Sequence, residues 1–144
     1  MGLLRPGGKI HISPSARGSV AEIHVIAALA NCGYFPLLPA IAGGRYDVVF
    51  EDANGAFWRV QVKTGRYKKG SVEFHTRTTF IKEGYRGQAD YFAVYCAELK
   101  KIYLVPVSDV TETMAYLRVD DLQDNRWKYI NSKKVRWAQD YELS

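Results

Sequence analysis

The sequence predicts an α/β domain: a central mixed β-sheet flanked by helices. Three observations carry that expectation. Residues 18–31 hold apolar side chains at helical spacing, residues 45–51 and 57–64 alternate on either side of a turn sequence, and residues 91–96 and 102–107 are nearly continuous apolar runs. A helix, a hairpin, further strands and a terminal helix then build one layered domain around one sheet. The 144 residues are enough for a single buried core.

Residues 1–17 contain Pro6, Pro14 and several basic residues and read as an N-terminal arm. A helix follows over 18–31, with Ser19 as N-cap and Glu22 three residues later, as in a capping box. Val20, Ile23, Ile26, Ala27 and Ala30 mark its apolar face, and Gly33 is its stop signal. Residues 34–42 hold two prolines and predict a short extended piece or a loop. The strands over 45–51 and 57–64 flank Asp52-Ala53-Asn54-Gly55, a hairpin turn. Residues 65–70 (GRYKKG) read as a basic loop and 71–76 as a third strand, while 79–87 and 109–124 give no clear pattern. The two apolar runs around Glu98-Leu99-Lys100-Lys101 predict a hairpin buried on both faces. Residues 126–141 place Trp127, Ile130, Trp137, Ala138 and Tyr141 on one side of a helix with a basic opposite face.

Composition narrows the function. Hydrophobic residues make up 47% and charged residues 24%, which excludes disorder over most of the length. No apolar run reaches a membrane span, and residues 1–17 lack the apolar centre of a secretory signal, so a cytoplasmic address is expected. Cys32 and Cys96 sit apart in apolar surroundings and predict buried free thiols, with no zinc spacing. Lys and Arg exceed Asp and Glu by 20 to 15, for a net charge of +5, which favours a polyanionic partner. His11, His24 and His75 show no ligand spacing.

The first hairpin carries the chemistry. Tyr46, Val48, Phe50, Trp58, Val60 and Val62 are all apolar, whereas the positions between them are Arg45, Asp47, Val49, Glu51, Phe57, Arg59, Gln61 and Lys63, most of them polar. Cross-strand partners share a face, so this pattern fixes the register. A three-residue loop, Ala53-Asn54-Gly55 with a left-handed Gly55, pairs Asp47 with Gln61 and brings Lys63 close by on the same face. A carboxylate beside an amide oxygen is a pair of hard ligands suited to Mg²⁺. A lysine next to them can orient a water or stabilise charge on a phosphorane-like transition state. Glu22, on the preceding helix, adds a carboxylate that reaches through water. The same residues also suit a solvent-facing cross-strand set, with Asp–Lys attraction beside a glutamine.

Glu22, then Asp47, then Gln61-Val62-Lys63 resemble the PD-(D/E)XK nuclease superfamily in order and spacing. From Gly18 to Val107 the chain looks like the branch of intron-encoded cyanobacterial homing endonucleases, through GSVAEIHVIAALANCGY, RYDVVF, RVQVKTGR and GQADYFAVYCAELKKIYLVPV. Archaeal-type Holliday-junction resolvases share that core. Two positions depart from the superfamily pattern: Tyr46 stands where a proline usually precedes the aspartate, and Gln61 replaces the acid before x-K, as in the homing branch.

The resemblance implies a restriction-endonuclease-like core over 18–144 and a Mg²⁺-dependent endodeoxyribonuclease, with Mn²⁺ as a substitute. Asp47, Gln61 and the Val62 carbonyl would hold the metal, Glu22 would join directly or through water, and Lys63 would orient the attacking water. Double-stranded DNA is the implied partner, cut at specific sites by a homodimer or homotetramer of a prokaryotic or phage-encoded, nucleoid-associated protein. A structure-selective, resolvase-like nuclease and an inactive DNA-binding module are the alternatives. Arg66, Lys68, Lys69, Arg77, Lys82, Arg86, Gln88, Lys133, Lys134 and Arg136 are the expected nucleic-acid contacts. Asp90 is expected to hold a backbone N–H.

Overall fold

The computed structural model describes residues 2, 4–77, 85, 87–120 and 135–144. Among the described residues one α-helix, α1 (Pro14–Asn31), precedes seven strands: β1 (Phe35–Leu37), β2 (Val48–Glu51), β3 (Phe57–Lys68), β4 (Ser71–His75), β5 (Tyr91–Cys96), β6 (Lys101–Pro106) and β7 (Met114–Arg118). They form one mixed sheet. The path β1-β2-β3-β4-β7 is antiparallel throughout, and β5 joins β3 in parallel and carries β6 on its far side. Among the described residues no helix is long and apolar enough to cross a membrane.

The helix begins four residues earlier than its periodicity indicates. Ser13 is the N-cap, its hydroxyl accepting from the Ala16 N–H at 3.2 Å, and Pro14 occupies the first helical position. Proline fits there because its missing N–H would have had no helical partner. Residues 14–17 of the expected arm therefore belong to α1, and Ser19 lies inside it. The C-terminus ends where Gly33 predicts: Gly33 has φ +89°, and Cys32, Gly33 and Tyr34 donate back to Ala28, Ala30 and Leu29. The buried stripe is Ala21, Val25 and Leu29, whereas Ile23, expected on the apolar face, is 65% exposed. Apolar residues surround most of this helix, and small Ala21 lets it approach the sheet closely, so the 21/25/29 side wins.

That stripe packs on Val48, Phe50, Val60 and Val62, the even face of the β2–β3 hairpin. The opposite face of the sheet contributes Phe92, Val94, Tyr103 and Val105 to a second core with Val72, Phe74, Tyr85 and Leu117. The hairpin register is the expected one. Val48 faces Val60 and Glu51 faces Phe57, while Asp52 donates to the Ala56 carbonyl across the three-residue loop, with Gly55 at φ +78°. Asp52 closes the loop, accepting from the Asn54 and Ala56 N–H groups and from the Trp58 indole.

Two other expectations are corrected. Residues 65–68 are not a loop but the end of β3, which turns through Lys69 (φ 50°) and Gly70 (φ 79°) into β4. Two positive φ angles match the twist of paired strands, so a two-residue turn suffices even with lysine in it. The segment over 109–124 contains β7, which pairs with β4. The end of the expected C-terminal helix is not α-helical: Trp137 bridges to Arg118, and 138–140 form a short 3-10 turn. The rest of that helix lies outside the described residues.

Gly65 is the close-packing point of the site strand. A Cβ there would stand 2.6 Å from a Val94 methyl and 2.8 Å from a Val72 methyl. Both valines are fully buried and stiff at χ1. Gly65→Ala is therefore expected to cost about 1–3 kcal/mol, read as a lower urea midpoint without a change of slope.

Candidate active site

Strand β3 is longer than either antiparallel partner. β2 accompanies it to Val60 and β4 from Arg66, so residues 61–65 keep only the parallel partner β5. Asp47, just before β2, fills the start of that gap. Its Oδ2 accepts from Gln61 Nε2 at 2.8 Å and from the Val62 N–H at 2.8 Å. The carboxylate thus takes the place of the backbone acceptor that a longer β2 would have offered. The N–H and C=O of one strand residue point to the same side, so the Val62 carbonyl shares that edge. Among the described residues Oδ1 receives no hydrogen bond.

Lys63 lies two residues on, on the Gln61 face, with its Nζ 4.8 Å from the centre of the Tyr85 ring. Glu22, half-buried on the flank of the α1 stripe, is close enough to Asp47 to raise its pKa. For both carboxyls burial is the leading cause of an upward shift; the Val62 N–H and Lys63 oppose it at Asp47, and the charge of Asp47 adds to it at Glu22. The Lys63 ammonium is pushed the other way, down by burial, with Asp47 partly restoring it. A half-buried carboxylate whose charge disfavours ionisation of a second, also half-buried, makes a site where a cation is electrostatically welcome. Every donor (Asp47, Glu22, the Gln61 amide oxygen and the Val62 carbonyl) is a hard oxygen, the set that suits Mg²⁺. Among the described residues no group of three or more His, Cys, Asp or Glu could hold a metal, so any ion here relies on neutral oxygens as well.

The structure therefore brings together Glu22, Asp47, Gln61, Val62 and Lys63. Of the expected nucleic-acid contacts, Arg66, Lys68, Lys69 and Arg77 are exposed and Gln88 is half-buried. Arg136 is engaged: its guanidinium donates to Glu112 at 3.0 Å and to the Asp109 carbonyl at 2.8 Å. Lys82, Arg86, Lys133 and Lys134 lie outside the described residues. Tyr85 was missed, because it falls in a segment with no periodic signal. Cys32 and Cys96 are free thiols, and His24 stacks on Tyr95 at 4.3 Å.

Asp90 holds the strand that backs the site. It accepts the Arg59 N–H at 2.7 Å and pairs with the Arg59 guanidinium at 3.1 Å, while its own N–H donates to the Arg59 carbonyl. This clamp starts the parallel register that sets Phe92 against Gln61 and Val94 against Lys63. Hydrogen bonding from the Arg59 side chain holds the Asp90 carboxyl below its usual range. A lowered native pKa gives stability that is present above the unfolded value, near 4, and lost as pH falls through the native one. Asp90→Asn is expected to lower the urea midpoint at about pH 7 and to differ less from wild type at about pH 3.

A sequence model of the PD-(D/E)XK endonuclease family matches residues 12–144. No curated protein matches the chain. Among solved structures, the bacterial homing endonuclease I-Ssp6803I is similar at a TM-score of 0.67 and 24% identity, over 92% of this chain and 88% of that one. The Holliday junction resolvase Hjc of Archaeoglobus fulgidus is similar at a TM-score of 0.45 and 19% identity, over 71% of this chain and 84% of that one. The first of these likenesses shows a shared fold.

Proposed function

The chain belongs to the PD-(D/E)XK endonuclease family, and from that premise we propose that it is a Mg²⁺-dependent endodeoxyribonuclease hydrolysing phosphodiester bonds at specific sites in double-stranded DNA. The observation that carries this reading is the Asp47 carboxylate bound to both Gln61 and Val62 at the open edge of β3, with Lys63 beside it. Asp47, Gln61 and the Val62 carbonyl would hold the ion, with Glu22 direct or through water. Mn²⁺, which accepts the same oxygen ligands, would substitute. Bound there, such an ion would supply Lewis-acid chemistry, polarising the phosphodiester and lowering the pKa of a water. Lys63 orients that water and donates to the phosphoryl oxygens as negative charge builds on them.

Arg66, Lys68 and Lys69, on the β3–β4 hairpin that continues from the site, together with Arg77, would carry the DNA backbone past it. Gln88, Lys82, Arg86, Lys133 and Lys134 complete the proposed contact set. One site cuts one strand, so double-strand cleavage calls for at least two copies, as a homodimer or homotetramer. The domain doing this work is proposed to run from α1 to the end of the chain, in the cytoplasm of a prokaryotic host.

The test is cleavage of linear duplex, four-way-junction and single-stranded DNA with Mg²⁺, with Mn²⁺ and with chelator. Cleavage of duplex only with metal supports the reading. Cutting confined to the junction overturns it in favour of a structure-selective enzyme, and binding without cutting in either metal overturns it in favour of a binding module. Gln61→Glu adds a negative ligand and is expected to lower the Mg²⁺ concentration for half-maximal rate by about tenfold; an unchanged metal titration removes Gln61 from the ligand set.

A further inference from the structure

We infer that Tyr85 is a positioning residue for Lys63: its ring face holds the ammonium at the place where the proposed reaction needs it. The inference rests on the reading of Lys63 given above. The Lys63 Nζ stands 4.8 Å from the ring centre, within range of attraction to the negative face of an aromatic ring. Among the described residues Lys63 makes no direct ion pair, so Asp47 acts on it only at longer range. A lysine on a four-carbon stem has many rotamers and loses about 2 kcal/mol of entropy when fixed. Among the described residues the Tyr85 ring stands at its Nζ and can hold it there.

The ring is itself buried and packed. Tyr85 is 3% exposed and packs edge-on against Phe92 at 5.6 Å and 88°. Its carbonyl accepts the N–H groups of Gln88 and Ala89, which ties it to the turn entering β5. Phe92 is the register partner of Gln61, so the same strand that backs the hairpin also seats the ring. A ring face has a further advantage over a carboxylate. It attracts the charge without taking up a directed N–H bond, which leaves the three ammonium donors for water and phosphate.

The experiment grades the ring's electrostatics without changing its shape. In Tyr85→Phe the single-turnover rate is expected to stay within about threefold of wild type, and in Tyr85→Leu to fall by about tenfold with KM unchanged. Mono-, di- and trifluorinated phenylalanines incorporated at position 85 are expected to lower the logarithm of the rate step by step, in folded protein of unchanged melting temperature. A readout independent of catalysis is the Lys63 ε-methylene proton shift, expected to be shielded by the ring in wild type and Tyr85→Phe and unshielded in Tyr85→Leu. A flat rate across the fluorinated series while Lys63→Ala remains inactive overturns the role of Tyr85 alone. Full activity in Lys63→Ala overturns the reading of the site, and the inference with it.

Discussion

Replacing Asp47 with alanine is expected to slow single-turnover DNA cleavage by at least about a thousandfold at saturating Mg²⁺, while DNA affinity changes by less than about threefold. Asp47 is the group on which the site converges: it accepts from Gln61 and from the Val62 N–H, each at 2.8 Å, and its charge reaches both Glu22 and Lys63. The alanine variant leaves the Val62 N–H without its partner, at about 1–3 kcal/mol, so its melting temperature falls somewhat. Asp47→Asn separates the two effects, since an amide oxygen can still accept that N–H but carries no charge. Its activity is expected to fall nearly as far as in Asp47→Ala with the stability largely restored. Rapid-quench cleavage and thermal melts on both variants check this, and a wild-type rate in Asp47→Asn would remove Asp47 from the chemistry.

Lys63→Ala is expected to lower kcat by about 10²–10³-fold with KM for DNA within about threefold of wild type. In the proposed role the ammonium acts on charge that appears only as the phosphodiester reacts, so its loss would weaken the transition state more than the bound substrate. Lys63→Arg is expected to recover little. A planar guanidinium is bulkier, presents its donors in a fixed fork, and stacks on an aromatic face rather than standing over it as a point charge. Steady-state kinetics on the two variants decide the matter; a rise in KM with kcat unchanged would make Lys63 a DNA-binding residue only.

The hairpin of the candidate site was legible because its determinants are local. Alternation in residues 45–51 and 57–63 and the three-residue loop Ala53-Asn54-Gly55, with Gly55 at positive φ, set the Asp47–Gln61 pairing, and the observed register is that one. Its neighbours were harder. The face of α1 was misjudged because Ile23 and Ile26 compete with Ala21, Val25 and Leu29 in a helix apolar nearly all round, and only the sheet decides between them. Glu22 sits on the flank of the winning stripe. The Ser13-Pro14 start was readable from capping chemistry, but the prolines of the arm masked it. Lys69 at φ 50° hid the β3–β4 turn, because a lysine there gives none of the usual glycine or asparagine signal. The parallel pairing of β3 with β5, the Arg59–Asp90 clamp, the Arg136–Glu112 ion pair and the Tyr85–Lys63 contact join residues distant in sequence, and no spacing rule reaches them.

The most direct test of a divalent cation held by the hairpin is anomalous diffraction from crystals of the chain grown with Mn²⁺ and duplex DNA. The account predicts a manganese peak at coordination distance, about 2.1 Å by analogy with Mg²⁺, from an Asp47 carboxylate oxygen and the Val62 carbonyl, with the Gln61 amide oxygen turned toward it. Crystals of cleavage-competent protein with manganese bound elsewhere, and with the Gln61 amide still donating to Asp47, would contradict it.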